Sequence, residues 1–244
     1  FILLRIFSGL ISAYFSKATN VIESGINKIK NLFIKLVLAG VSLGLLIFLF
    51  PPLYGEGYDA LIDILNNQAE ELTHGSLFYG MESVPWMFIL FLFLILIFKA
   101  FASALTSGSG GVGGIFAPTL FMGGVTGYMS AKLFNMLNLV HVSERNFALV
   151  GMAGLMAGVM HAPLTAIFLI AEITGGYQLF IPLIITSTIA YLTIMYFEPH
   201  SIYTKRLAQR GELLTHDKDQ AILHLIKMKS VIEKDFKKVH ADAT

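Results

Sequence analysis

The stretch Thr106–Phe121, TSGSGGVGGIFAPTLF, holds the residues whose types and spacing are best suited to chemistry. Gly108-x-Gly110-x-x-Gly113 has the spacing of a dinucleotide-binding loop. That loop needs a strand before it and an acidic residue about 20 positions on. Here an apolar run of helical length precedes it, and the next acid is Glu144. No Gly-Lys-Ser/Thr follows, so it is not a P-loop either. The chemistry that fits is anion binding at a helix start. Glycine permits positive φ and close approach of backbone to a ligand. A helix beginning near Phe116 accommodates Pro118 in its first turn. Its first N–H groups lack intrahelical partners and carry the positive end of the helix dipole. Inside a membrane such an end attracts a small anion without a full cationic charge. The hold is then weak enough for the ion to leave. The plain alternative is a Gly-rich corner where helices pack closely.

Four other polar positions carry two readings each. Glu172 lies in an apolar helix, where an acid could relay protons or sit structurally near the helix end. Lys99 closes a long apolar run; it could snorkel, pair with a neighbour, or serve an anion directly. His161 precedes Ala162-Pro163 and suits a capping or loop role. Glu56 and Asp59 lie in a loop and are expected to face solvent. No His/Asp/Glu cluster has metal-ligand spacing, and no Ser/His/Asp arrangement can be argued, so the chain reads as a non-enzyme with no cofactor. The absence of cysteine excludes a disulfide scaffold, a thiolate metal site and a cysteine nucleophile.

The elements that must position the Gly-rich stretch are apolar helices. A membrane-crossing helix needs about 20 mostly apolar residues. Leu32–Phe50, Pro85–Leu105 and Gln178–Phe197 meet that length. Phe116–Leu139 reads as a helix with Gly123, Gly124 and Gly127 on close faces. Phe147–Met160 and Leu164–Ile173 are too short to span alone. Breaks are expected at Gly108–Gly114, His161–Pro163 and Gly175–Gly176. Short, Gly/Pro-interrupted apolar segments point to broken helices around a site at membrane depth. Residues 1–30 read as a helix, with Glu23, Lys28 and Lys30 near an interface. Tyr58–Leu72 reads as a short extramembrane helix with an acidic face, and His200–Ala208 as another short helix.

Composition agrees with a membrane protein. The 244 residues are 55% hydrophobic and 14% charged, against roughly 25% charged for soluble domains. Net charge is +1, unevenly spread: residues 1–198 hold 8 basic and 10 acidic residues, and 199–244 hold 9 and 6. Mixed signs without interleaved aromatics argue against nucleic acid as a partner. Lys205, Arg206 and Arg210 flank the last span and place the C-terminus in the cytoplasm by the positive-inside rule. The chain opens on Phe1 without a basic n-region, so it is no signal peptide and reads as an internal fragment.

Gly114-Ile115-Phe116-Ala117-Pro118 resembles the G-x-F-x-P region of the CLC family of chloride channels and chloride/proton antiporters. PPLYGEGYDAL resembles the family's preceding loop, and KAFASALTSGSGG the helix that leads into the motif. GMAGLMAGVMHAPLTAIFLIAEITGGYQLFIPLIIT resembles the helices after it. PHSIYTKRL resembles the segment with the family's central tyrosine.

The resemblance implies an all-α, polytopic membrane protein: the second inverted repeat of the CLC fold, built of short, broken and tilted helices. Residues 1–208 would form this half of a prokaryotic member, in the bacterial inner membrane. Residues 209–244 would be a cytoplasmic linker toward CBS domains. The backbone N–H groups of Ile115 and Phe116 would face the central anion, with Gly113, Gly114, Ala117 and Pro118 completing the loop. The Tyr203 hydroxyl would donate to the same anion; by composition alone Tyr203 reads as an interfacial anchor instead, and it is the resemblance that reverses this. Residues 164–173 and 178–197 would contribute to a homodimer interface. The family's Gly-Ser-Gly-Ile-Pro and Gly-Lys/Arg-Glu-Gly-Pro loops do not occur here, so the N-terminal half of the same protein is an implied partner. The implied activity is chloride transport, as a channel or as an antiporter that also moves protons. A non-transporting half-module that assembles with a full transporter is the competing expectation.

Overall fold

Several helix ends follow local signals: side-chain caps at Asn31 and Ser143, prolines at Pro85 and Pro163, and left-handed backbone after the helices that end at Ser109 and Met160. The computed structural model describes residues 2–80 and 84–209. The expected linker 209–244 lies outside the described residues apart from Gln209, as does Arg210. In chain order the helices are α1 (Ile2–Asn27), α2 (Leu32–Leu49), α3 (Tyr58–Leu65), α4 (Pro85–Ser109), α5 (Phe116–Met136), α6 (Glu144–Met160), α7 (Pro163–Ile173), α8 (Phe180–Phe197) and α9 (Thr204–Gln209). Single 3-10 turns occupy Pro51–Leu53 and Ala69–Thr73. No strand occurs among the described residues.

Several expected boundaries move, each for a local reason. The Tyr58–Leu72 helix stops at Leu65. There Asn67 takes φ 60°, which asparagine tolerates, and Gln68 N–H closes onto Asp63 O at 2.8 Å as a Schellman turn. Helix α6 begins at Glu144 rather than Phe147, because the Ser143 hydroxyl accepts from Asn146 N–H and caps the end. The break after α4 begins at Gly110 (φ 97°), so Gly108 remains helical and packs on Glu23 and Ile26 of α1. Glu23 is correspondingly buried, whereas Lys28 and Lys30 are exposed. Asp63, outside the apolar helices, has its carboxyl raised above the usual range by partial burial, then by Glu71 and Asp59.

Two compact units divide the chain. The first, Phe1–Ile202, contains α1 to α8; the second, Tyr203–Thr244, contains α9. In the first unit α5 is the enclosed element, buried at every residue from Ala117 to Ala131. It packs most extensively on α6, itself buried from Phe147 to Val159. Glycine makes that contact possible. A Cβ on Gly123 would lie 2.6 Å from both Gly151 O and Met152 Cα. A Cβ on Gly127 would overlap Phe147 O, and one on Gly151 would overlap Gly123 O. Close backbone approach through small residues is the way helices associate where no hydrophobic effect drives them together.

The outer elements are apolar and open. Helices α2, α4 and α8 are each long and apolar enough to cross a membrane, and the most apolar stretch of α2 is only 6% buried. Helix α7 has 11 residues, about 16 Å at 1.5 Å per residue, well short of a bilayer core of about 30 Å.

Replacing Gly123 by alanine is expected to destabilise the protein by about 2 kcal/mol, because backbone on α6 must shift. Gly40→Ala on α2, where nothing lies within 4 Å, is expected to be neutral or slightly stabilising. Thermal unfolding in detergent, followed by loss of the monodisperse peak, compares the two.

Candidate anion site at the start of helix α5

The chain leaves α4 at Gly110, runs exposed through Val112, Gly113 and Gly114, and re-enters helix at Phe116. Ile115 precedes the first helical turn at φ −90°, ψ −18°, and its carbonyl accepts from Thr119 N–H at 3.1 Å and Thr119 Oγ1 at 2.6 Å. No described hydrogen bond uses the backbone N–H of Ile115, Phe116 or Ala117 as donor. Pro118 has no N–H to give. Three amides thus open α5 without an internal acceptor, at the positive end of the most enclosed helix.

A cavity of about 410 Å³ lies at this end. Gly113, Gly114, Phe116, Ala117 and Pro118 line it, so five of the seven residues singled out in the sequence share one space. Ile115 does not line it; its side chain packs against the apolar core. Phe116 is partly exposed at the cavity wall, at 36%. Tyr203 belongs to the second unit, where it directly precedes α9 with its side chain exposed.

The opposite wall was missed by sequence reasoning. It comes from the Pro51–Tyr58 loop and from Lys99 of α4. Of the readings open for Lys99, pairing with neighbours holds and snorkelling does not: its side chain is 1% exposed. Its ammonium donates to Gly55 O at 3.0 Å and Leu53 O at 3.3 Å, and sits 4.7 Å from the centroid of the Phe121 ring. Gly57, at φ 89°, allows this approach; a Cβ there would lie 2.8 Å from Phe121 Cδ2 and 3.3 Å from Lys99 Nζ. The signals available were a single lysine inside an apolar run and the Gly-x-Gly of Tyr54–Tyr58. Neither signals the pairing, because 44 and 46 residues separate the partners.

The remaining candidates fall away from this cavity. Glu172 is exposed near the end of α7. His161 ends α6 in left-handed backbone (φ 55°), with its ring edge-on to Tyr191 at 5.4 Å, which is the capping role expected of it. No group of three metal-ligating side chains occurs among the described residues.

The sequence profile described as "Voltage gated chloride channel" matches residues 1–194, about four-fifths of the chain. The chain belongs to the voltage-gated chloride channel family. Members are integral membrane proteins, in keeping with the three long apolar helices here. An H(+)/Cl(-) exchange transporter ClcA of Vibrio campbellii is 30% identical over 213 residues, covering 85% of this chain and 42% of that protein. Another ClcA, from Vibrio cholerae, is 34% identical over 173 residues, covering 69% of this chain and 32% of its own length. Among solved structures, a slow cyanobacterial Cl-/H+ antiporter superposes with a TM-score of 0.66 at 29% identity, covering 86% of this chain and 46% of that one. The chain therefore spans roughly a third to under a half of the length of these family members. The match bears out the all-α, polytopic reading of the fold.

Gly57→Ala is expected to destabilise this family member by about 2–3 kcal/mol, because left-handed strain adds to the clash with Phe121. Gly55→Ala (φ 58°, nothing within 4 Å) is expected to cost only the conformational part, about 1 kcal/mol. Melting temperatures of the two variants in one detergent test the ordering.

Proposed function

We propose that this chain is one half of the membrane domain of a chloride transporter, and that the start of α5 is its part of the anion pathway. The single observation that carries the reading is the set of three free amides, of Ile115, Phe116 and Ala117, opening an enclosed helix beside a cavity. Such a set offers convergent donors and a fractional positive charge. A small monovalent anion is the ligand this suits; a carboxylate-rich or metal-bound substrate is not. The matched relatives named as H(+)/Cl(-) exchangers make chloride the expected ion and protons the expected co-substrate.

In this mechanism the amide N–H groups of Ile115 and Phe116 hold the anion, and Gly113 and Gly114 keep the approach free of side chains. Phe116 walls the path, and Ala117 and Pro118 set the first turn. Tyr203 is assigned a hydroxyl donor's role toward the anion on the strength of the family resemblance of PHSIYTKRL alone. No covalent step is involved, so the ion is exchanged and not transformed. A second half, supplied by the same protein, completes the path. Apolar side chains open on α7 and α8, including Leu164, Phe168, Ile181 and Leu192, support a homodimer face over 164–173 and 178–197. The basic residues after α8 support a cytoplasmic C-terminus.

Reconstitution of the complete transporter in liposomes tests the reading. Chloride efflux that drives protons uphill is the outcome for an antiporter, and efflux without proton movement the outcome for a channel. Absence of chloride efflux rejects the proposal. Within a working transporter, Tyr203→Phe is expected to weaken chloride binding about tenfold by calorimetry, since one donor to the ion is lost. Unchanged binding removes Tyr203 from the site.

A further inference from the structure

The connector between α1 and α2 gathers positive charge beside an open apolar helix. Residues 1–55 hold a single acid, Glu23, and it is buried. Lys28 and Lys30 stand exposed on the connector, and Lys35 follows in the first turn of α2. The connector is fixed at both ends. Lys28 N–H donates to Gly25 O at 3.2 Å and Ile29 N–H to Ile26 O at 3.1 Å. Asn31 Oδ1 caps α2 by accepting from Phe33 N–H and Ile34 N–H. Lys35 Nζ donates to Asn27 Oδ1 at 3.0 Å, which draws its charge back toward the connector. Among the described residues no carboxylate lies within 4.0 Å of any of these three lysines. Like charges held in one short turn repel one another and favour an anion from outside the chain.

Next to the connector, α2 presents a furrow. Phe33, Val37 and Val41 form one ridge and Ile34, Leu38 and Ser42 the next, with a cleft of about 430 Å³ along them. The steps from Phe33 to Ser42 rise about 14 Å at 1.5 Å per residue. That is close to half of a hydrocarbon core of about 30 Å, the depth of a single leaflet. A turn with three lysines and no exposed acid belongs on the cytoplasmic side, where the membrane surface is negative. We infer that the α1–α2 connector and this furrow bind one anionic glycerophospholipid of the cytoplasmic leaflet. The lysines hold its phosphate as point charges on flexible stems, and an acyl chain lies between the ridges of α2. A protein segment would also cover the furrow, but it needs acids of its own at the connector to meet the lysines. A lipid brings the phosphate and a chain of matching depth in one molecule. The site is separate from the amides of α5 and does not rest on the transport reading.

The test uses the complete membrane protein with p-benzoylphenylalanine in place of Val37. That side chain is 48% exposed, so the change does not disturb the core. The protein is reconstituted in vesicles of equimolar phosphatidylglycerol and phosphatidylcholine and irradiated, and mass spectrometry identifies what is attached. Lipid adducts are expected, with phosphatidylglycerol about tenfold over phosphatidylcholine. Lys28→Gln, Lys30→Gln and Lys35→Gln together remove the charge from side chains outside the core. They are expected to bring that ratio below about twofold. Equal labelling of the two lipids with the lysines in place overturns the inference, and so does a preference that survives the triple change. A peptide adduct in place of lipid also overturns it and makes the furrow a protein contact. The absence of any lipid adduct has the same consequence for the site.

Discussion

Helix α5 opens with three amides that have no partner, and the rest of this structure is arranged around that constraint. In hydrocarbon an unsatisfied backbone group costs several kcal/mol, so non-helical backbone survives there only against protein or in a wet cavity. The start of α5 meets that condition by opening onto a cavity while the helix behind it is sealed from Ala117 onward. Sealing needs close neighbours on all sides. Gly123 and Gly127 let the α6 backbone approach where a methyl group would collide. The price of a fixed, exposed dipole end is therefore met by packing elsewhere on the same helix.

The loop before α3 answers a second constraint. A lysine in a long apolar run must either reach water or find acceptors. Lys99 finds them in the carbonyls of Leu53 and Gly55, which accept no backbone N–H. Positive φ at Gly55 and Gly57 turns the chain back over the ammonium, and Phe121 of α5 supplies an aromatic face beneath it. One side chain thereby ties α4, the loop and α5 together at the cavity. This explains why the Gly-x-Gly of the loop and the Gly-rich run after α4 converge in space although they lie some 50 residues apart.

Much of this was legible in the sequence, for physical reasons that differ by element. Helices α2 and α4 announce themselves because lipid-facing helices are apolar all round, so composition alone marks them. The start of α5 was legible because Gly114, Pro118 and an absence of acids leave few other uses for such a run. The start of α6 was not, since a single cap at Ser143 outweighs the polar character of Glu144, Arg145 and Asn146 that argues for a loop. The end of α3 at Asn67 was hidden for a similar reason: left-handed asparagine is common but not obligatory. Burial of Lys99 was illegible because its partners are backbone atoms, and carbonyl groups have no sequence signature.

In the proposed transport function, the free amides of α5 answer one side of a conflict in moving an anion through an apolar slab. Contact with a full positive charge in a low dielectric holds an ion too long for turnover, whereas dipoles alone draw few ions from dilute solution. Amides at α5 can bind by short hydrogen bonds, each modest in strength. Lys99, with two of its three N–H donors on Leu53 O and Gly55 O, is held by the loop instead.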